Sequence, residues 1–278
     1  MNRWQMAVIL GLAILFFGKI AQAEQPIQII SDVVYASPGG HDLKVDLYLP
    51  AGEGPFPGVL MVHGGAWLAG DRSRMAIHAL QLARRGYAVA SIGYRLAPVH
   101  KFPAPLEDCR TALAWLRKHA EQYRIDPGRI AGYGYSAGAH LVCLTAMTAA
   151  DPAQGFCAVV AGGTPCDLTV EPLQSLRLAY FLGGSRAALP EVYRQASPAT
   201  FVSSKTPPIF FFHGSADTLV PMAGVKAMCA ALDQAGCDAR LFELENATHI
   251  GSFISPHARQ EAVKFLDEVL QTPAAATP

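Results

Sequence analysis

The sequence predicts an α/β fold with a mostly parallel central sheet and helices on both faces, and three patterns indicate it. Short, almost continuous apolar runs recur along the chain, which is typical of strands that are buried on both faces. Segments with three- and four-residue apolar spacing lie between these runs, as expected for helices. Strand and helix therefore alternate, and such alternation predicts a parallel sheet covered on both faces. The apolar runs are residues 59–62, 88–92, 130–133, 158–160 and 209–212.

The first two predicted strands differ from these runs because they alternate polar and apolar residues. They comprise residues 28–35 and 42–49, with Pro38, Gly39 and Gly40 between them. Alternation on both sides of a turn predicts an antiparallel hairpin, which we place at the edge of the sheet.

The clearest helical pattern follows the run at 88–92. Pro103 and Pro105 suit the first turn of a helix, because proline lacks an N–H that this turn would leave unpaired. The apolar face that follows consists of Leu106, Cys109, Leu113, Leu116 and Ala120.

Residues 24–271 are predicted to form a single domain that carries one short, cap-like insertion. Residues 165–205 lack a dominant period, yet they are too apolar for a free linker. We expect this segment to pack over the carboxyl edge of the sheet, where ligands bind in open α/β folds. The Ala- and Pro-rich residues 272–278 are predicted to be a disordered tail.

Residues 1–23 have the pattern of a secretory signal peptide. Arg3 precedes an apolar run at 6–17, and residues 21–23 form the small-x-small pattern at which such leaders are cut. The run is shorter than the ~20 residues that a membrane span requires. We therefore expect an exported protein, periplasmic or secreted, without stable membrane association after cleavage. Lys19 in the cleavage region leaves an uncleaved anchor open as the alternative.

Composition and motifs argue against several classes of function. The chain of 278 residues has 22 basic and 22 acidic side chains, so it lacks the positive charge that nucleic-acid binding favours. We find no metal-binding motif, dinucleotide-binding glycine loop or phosphate-binding loop. No metal and no cofactor are therefore predicted.

Six cysteines in an exported chain can form disulfides, because that compartment is oxidising. None of them has the C-x-x-C spacing of a zinc or redox site. Cys229 and Cys237 are the first pair to test, and small buried thiols are an equal alternative for most of the six.

The pentapeptide at residues 134–138 predicts a catalytic nucleophile at Ser136. It has the G-x-S-x-G pattern, follows a predicted strand and opens a predicted helix. Gly134 and Gly138 permit a turn so sharp that the serine oxygen projects from the backbone. The first turn of the helix also favours negative charge near that oxygen.

A second glycine turn follows the strand at 59–62 and predicts an oxyanion hole. Acyl transfer forms a tetrahedral oxyanion, which must be met by oriented N–H groups. Gly64 and Gly65 are the predicted donors, together with Ala137, the residue after the nucleophile. Their neighbours Ala66, Trp67 and Tyr135 are predicted to contact the substrate.

Two further turns supply a predicted acid and base. Asp217 follows the strand at 209–212, and His249 lies in a loop after a strand candidate at 239–244. The order Ser136, Asp217, His249 suits a triad in which the carboxylate orients the imidazole that takes the serine proton. His140 is nearer to Ser136 in sequence but is expected to point into helix packing, and His63 and His213 are expected to brace loops. Asp167 is the strongest rival acid, ahead of Asp233, Asp238, Glu243 and Glu245.

With these residues, the chain resembles the α/β-hydrolase esterases, and most of all their hormone-sensitive-lipase-like and feruloyl/acetyl-esterase-like branch. The likeness spans residues 33–270 and departs at Ala66, where many members have a third glycine. It implies an α/β-hydrolase fold and a serine carboxylester hydrolase that cleaves small to medium acyl esters through an acyl-enzyme. An arylformamidase-like amidase, an exopeptidase and a non-catalytic binding protein on the same scaffold are the alternatives. Beyond the triad, the resemblance rests on residues 67–72, 94–98, 102–109, 181–184 and 196–198.

Overall fold

An eight-stranded sheet forms the centre of the protein. The computed structural model describes residues 26–170 and 175–271; the predicted leader 1–23 and tail 272–278 lie outside these residues. The strands are β1 (Gln28–Ala36), β2 (Leu43–Leu49), β3 (Phe56–Val62), β4 (Ala88–Ile92), β5 (Ile125–Tyr135), β6 (Val159–Gly162), β7 (Ile209–Gly214) and β8 (Ala239–Leu244).

The order of the strands in the sheet is β1-β2-β4-β3-β5-β6-β7-β8. β1 pairs antiparallel with β2, and β2 pairs antiparallel with β4. Every other neighbouring pair is parallel. The predicted fold class is confirmed: a mostly parallel sheet carries an antiparallel hairpin at its amino-terminal edge.

Helices connect the strands and cover both faces of the sheet. None of the helices within residues 26–170 and 175–271 combines the length and apolar character needed to cross a membrane. The α-helices are α1 (Ala76–Arg84), α2 (Ala104–Lys118), α3 (Ala137–Met147), α4 (Leu176–Leu182), α5 (Pro190–Gln195), α6 (Met222–Gln234), α7 (His249–Ile254) and α8 (Pro256–Leu266).

The sheet separates two hydrophobic cores, and β3 contributes to both because alternate side chains of a strand point to opposite faces. Leu60 and Val62 pack in the core that contains α2, α3 and α6. Val59 and Met61 pack in the core that contains α1 and α8. All four side chains are fully buried, which explains why the sequence shows a continuous apolar run there instead of an alternating one.

β5 begins five residues earlier than its apolar run. Ile125 and Asp126 pair with the start of β3, after which the register shifts so that Gly58 pairs with Ile130. Pro127 and Gly128 are typical of turns, yet they lie within the strand because its pairing is irregular at this point. The periodicity of the sequence therefore does not reveal the extension.

The segment at 165–205 contributes α4, α5 and a 3₁₀ turn at Pro198–Phe201. Leu178, Phe181 and Tyr193 are buried against the main core, as is Leu182. The segment therefore forms part of the domain's hydrophobic core although its sequence lacks one clear period.

All six cysteines are free thiols, so the suggested Cys229–Cys237 disulfide is not present. Cys229 lies on α6 and packs against the main core. Cys237 lies beyond the end of α6 and packs against the same core, and its thiol donates a hydrogen bond to the Ser203 carbonyl, at 3.1 Å. Proximity in sequence is therefore not enough to predict a disulfide.

Candidate active site

Ser136 lies at a sharp turn between β5 and α3, with φ 54° and ψ −121°. This left-handed conformation is rare for a residue with a side chain, and such strain is concentrated at functional sites. A Cβ atom at Gly134 would lie 2.4 Å from the Gly138 carbonyl oxygen, and one at Gly138 would lie 2.0 Å from that of Val62. Both flanking positions therefore require glycine for steric reasons.

His249 and Asp217 are joined by a hydrogen bond of 2.6 Å between Nδ1 and Oδ2. Asp217 is placed by the turn after β7, and His249 is the first residue of α7, which Thr248 caps through a hydrogen bond from the Gly251 amide. Because the bond to Asp217 occupies Nδ1, the ring nitrogen Nε2 is left for proton transfer with another group.

Asp217 is fixed by further bonds. Its Oδ1 accepts hydrogen bonds of 2.9 Å from the amides of Leu219 and Val220. His213 lies 3.3 Å from Oδ2 and bonds the Val220 carbonyl at 2.8 Å. Burial lowers the pKa of His213, so its ring is neutral at pH 7. Asp217 is therefore held in position, and His213 brings no positive charge to this contact.

The rival acids have other contacts. Asp167 closes its own turn, because its Oδ1 accepts from the amide and the hydroxyl of Thr169, at 2.8 and 2.6 Å. Asp238 and Glu243 form ion pairs with Arg240 and Lys226. In the part of the chain that the structure describes, Asp217 is the carboxylate that bonds His249.

The glycine turn predicted to form the oxyanion hole passes beside Ser136 at Gly64. A Cβ atom at Gly64 would lie 3.1 Å from that of Ser136, so this turn passes against the serine. Gly65 has a φ of 129°, which directs the chain back so that its carbonyl accepts from the amides of Leu68 and Ala69. Ala137 begins α3, where the N–H groups of the first turn have no partner within the helix.

His140 lies on α3, and its buried side chain connects Trp67 to Ala196. Its Nδ1 accepts from the Trp67 indole at 3.2 Å, and its Nε2 bonds the Ala196 carbonyl at 2.6 Å. Trp67 also stacks on Phe181, with ring centroids 4.4 Å apart. Burial lowers the pKa of His140 to about 4, so it stays neutral and ties the glycine turn to the inserted segment.

Comparison with known proteins identifies the family. The BD-FAE family profile matches residues 45–232, which contain the glycine turn and the serine turn.

The chain belongs to the BD-FAE family.

Known esterases are similar to this BD-FAE member in sequence. Esterase LipQ of Mycobacterium tuberculosis is 34% identical over 238 residues, which are 79% of this chain and 56% of LipQ. Esterase LipC of the same organism is 32% identical over 195 residues, 64% of this chain and 48% of LipC. The chain thus spans about half the length of the curated relatives that it matches.

Solved structures are similar over almost the whole chain. A truncated carbohydrate esterase from gut microbiota has a TM-score of 0.81 and 26% identity, with 91% of this chain and 99% of that one covered. Esterase 2 of Thermogutta terrifontis with bound butyrate has a TM-score of 0.73 and 25% identity, with coverage of 93% and 98%. These similarities agree with the fold class and with a place among the α/β-hydrolase esterases.

Two cavities of different size meet at Ser136 in this BD-FAE fold. The smaller, of about 40 Å³, lies on the side of Trp67 and Ala137 and is also lined by residues of the inserted segment, Arg177 among them. The larger, of about 270 Å³, lies on the side of His249, Gly64 and Tyr135. Among the predicted substrate contacts, Trp67 therefore borders the smaller cavity, Tyr135 the larger and Ala66 both.

Several residues around these cavities escape the sequence analysis. They belong to a loop, to the first turn of α7 and to the aperiodic inserted segment, where no motif distinguishes a lining residue from its neighbours. Only the fold brings them to Ser136. They are Arg74, Met75, Leu168, Arg177, Leu178, Leu219, Val220, Ile250 and Phe253.

Proposed function

We propose that the protein is a serine carboxylester hydrolase that releases short acyl groups through an acyl-enzyme on Ser136. The observation that carries the proposal is that Ser136 lies where the two cavities meet, and that His249, which is bonded to Asp217, borders the larger one. The related esterases support the same reaction class.

In the first half of the reaction, Ser136 Oγ attacks the ester carbonyl carbon while His249 Nε2 takes the hydroxyl proton. The amides of Gly64, Gly65 and Ala137 stabilise the oxyanion, and each such donor contributes about 3 kcal/mol in enzymes where it has been removed. The bond between carbon and the alcohol oxygen then breaks, and the alcohol leaves with the proton from His249.

Water completes the reaction. It attacks the acyl carbon while His249 takes one of its protons, and Ser136 leaves and recovers a proton from the imidazolium. Asp217 remains ionised throughout and stabilises the imidazolium that forms in each half. The products are a carboxylic acid, an alcohol and the free enzyme.

The two cavities have different roles because only the leaving group needs a proton from His249. The alcohol half therefore lies in the larger cavity, which His249 lines. The acyl half occupies the smaller cavity, whose volume is about 40 Å³. On the same measure, one buried water requires roughly 10–15 Å³. The smaller cavity therefore has room for about three water-sized groups, which matches a short acyl chain, and short-chain acyl esters are the expected substrates.

A fluorophosphonate tests the nucleophile, and a series of p-nitrophenyl esters tests the acyl length. We expect mass spectrometry to find the label on Ser136. Ser136→Ala should abolish turnover without lowering stability, because alanine tolerates the φ of 54° at this position as well as serine does. The ratio kcat/KM should fall steadily from acetyl to octanoyl. Full activity of Ser136→Ala would overturn the proposal.

Export of the protein remains a prediction that rests on residues 1–23 alone. Amino-terminal sequencing of protein recovered from an expressing cell tests it. A mature chain that starts near Glu24 is the expected outcome, and an intact leader on membrane-bound protein would indicate the anchor instead.

A further inference from the structure

Two arginines line the larger cavity together with Ser136 and His249. Arg74 lies in the 3₁₀ turn Arg72–Met75 that follows the glycine turn, and Arg177 is the second residue of α4 in the inserted segment. Both side chains are exposed. Elements about a hundred residues apart in sequence thus bring two guanidinium groups to one cavity.

Neither arginine is engaged by the protein. Within residues 26–170 and 175–271, neither side chain forms a hydrogen bond or an ion pair, and no carboxylate lines the cavity. Arg72, two residues before Arg74, is instead paired with Asp32 and Asp46 at 2.6 and 2.8 Å. The absence of partners is therefore specific to the arginines at the cavity.

The positive charge of Arg74 affects the pKa of the acidic group Asp71, but the Asp71 carboxylate is already hydrogen-bonded to another residue. Its Oδ1 accepts from the amide and the hydroxyl of Ser73, at 2.8 and 2.5 Å. These bonds are the main reason that the pKa of Asp71 is lowered, and the Arg74 charge is the smallest contribution. Because the whole chain has a net charge of zero, the positive charge at this cavity is local.

The arginines face the alcohol half of the substrate. Arg74 borders only the larger cavity, where the leaving group meets His249. Arg177 borders both cavities, but the smaller one has a volume of only about 40 Å³ and has room only for a short acyl chain. A charged group long enough to reach both guanidinium groups therefore belongs to the alcohol.

We propose that the physiological substrate is a short-chain acyl ester of an alcohol that carries a carboxylate, which Arg74 and Arg177 bind. Guanidinium groups match the geometry of a carboxylate and stay charged at every relevant pH. This inference rests on the proposed ester hydrolysis and names the substrate class for the same site.

A matched pair of acetyl esters tests the proposal. The anionic 4-acetoxybenzoate and the neutral 4-acetoxybenzamide have the same shape, and the ratio of their kcat/KM values reports recognition of the charge. The two esters differ in leaving-group reactivity, but this difference cancels when the ratio for a variant is compared with the ratio for the wild type. We expect Arg74→Gln with Arg177→Gln to lower this ratio about tenfold, because each exposed charge contributes a modest electrostatic gain.

Controls separate charge from other effects. Arg110→Gln removes an arginine that bonds Thr148 on a different surface and should leave the ratio unchanged. Arg74→Lys and Arg177→Lys should retain part of the preference for the anionic ester. Added salt should weaken this preference in the wild type.

The outcomes distinguish this inference from the proposed function. A double variant with the wild-type ratio, or with equal losses on both esters, overturns the carboxylate site and leaves the esterase assignment intact. Absence of p-nitrophenyl acetate turnover by the wild-type protein overturns the esterase assignment, and the carboxylate substrate with it.

Discussion

The phenolic hydroxyl of Tyr135 donates a hydrogen bond to the backbone carbonyl of His249. It also lies 2.8 Å from the Ser252 hydroxyl, which itself bonds the His249 carbonyl at 3.0 Å. Tyr135 directly precedes Ser136, so the residue beside the proposed nucleophile holds the first turn of the helix that bears the proposed base. This contact couples the positions of the two groups that exchange a proton in the proposed mechanism.

Removal of the Tyr135 hydroxyl should therefore loosen His249. We expect Tyr135→Phe to lower kcat about tenfold with little change in KM, and to lower the free energy of unfolding by about 1 kcal/mol. Steady-state kinetics on p-nitrophenyl acetate and urea unfolding measure the two effects.

Tyr133 provides the matched control because it lies two residues earlier on the same strand. Its buried hydroxyl has no hydrogen-bond partner among the residues that the structure describes, so Tyr133→Phe should leave kcat unchanged and should not reduce stability. Equal kinetic effects of the two variants would contradict a positioning role for Tyr135.

The choice of acid can be tested by two isosteric substitutions. Asp217→Asn removes the charge beside His249 and favours the wrong tautomer, so kcat should fall by about 10⁴-fold. Asp167→Asn alters a carboxylate that only closes its own turn with Thr169, and kcat should change less than threefold or so. Kinetics on one ester under one condition decide between them, and the reverse ranking would identify Asp167 as the acid.

The glycine next to the proposed nucleophile should be intolerant of a methyl group. Gly138→Ala would place a Cβ atom 2.0 Å from the Val62 carbonyl oxygen, which belongs to rigid backbone. We expect a loss of about 3 kcal/mol in the free energy of unfolding, and loss of activity, because β3 and α3 must separate.

Gly224 on α6 is the corresponding control. A Cβ atom there meets nothing within 4 Å, so Gly224→Ala should stabilise the helix by about 0.5–1 kcal/mol. Urea unfolding compares both variants with the wild type. A Gly138→Ala protein of wild-type stability would show that the tight turn is not required.

Buried histidines should make the protein less stable in mild acid. Burial lowers the pKa of His63, His78 and His140 from 6.5 to about 4 each. Between these values the unfolded chain binds more protons than the folded one, so stability is retained above pH 6.5 and declines as the pH falls towards 4. Each histidine should account for about 2 kcal/mol of loss between pH 7 and pH 5.

His78 is the most suitable residue for this test. Within the described part of the chain, both of its ring nitrogens are buried without a hydrogen-bond partner, and the ring stacks on Phe253 with centroids 4.8 Å apart. His78→Phe should keep the stacking and remove one titrating group, so the decline between pH 7 and pH 5 should shrink by about 2 kcal/mol. Urea unfolding at both pH values measures it, and a decline equal to that of the wild type would refute the assignment.

Much of the fold can be predicted from the sequence because its strands are short, apolar and separated by turn residues. The bounds of β4 and β8 agree with the predicted residues 88–92 and 239–244. The start of β5 was missed because its first residues pair with β3 through a register shift, which local hydrophobicity does not reveal. The sequence left the pairing of Cys229 and Cys237 open, and the structure shows both as free thiols.

The sequence by itself determined which turns follow which strands, and therefore which residues lie at the carboxyl edge of the sheet. Ser136, Asp217 and the glycine turn are recognisable from their neighbours, because steric and hydrogen-bonding demands restrict the residue types at each turn. Only the tertiary structure decided that Asp217 bonds His249, that the Tyr135 hydroxyl reaches the His249 carbonyl, and that Arg74 and Arg177 share a cavity. Such contacts join segments far apart in the chain, and their geometry depends on how the helices and the inserted segment pack on the sheet.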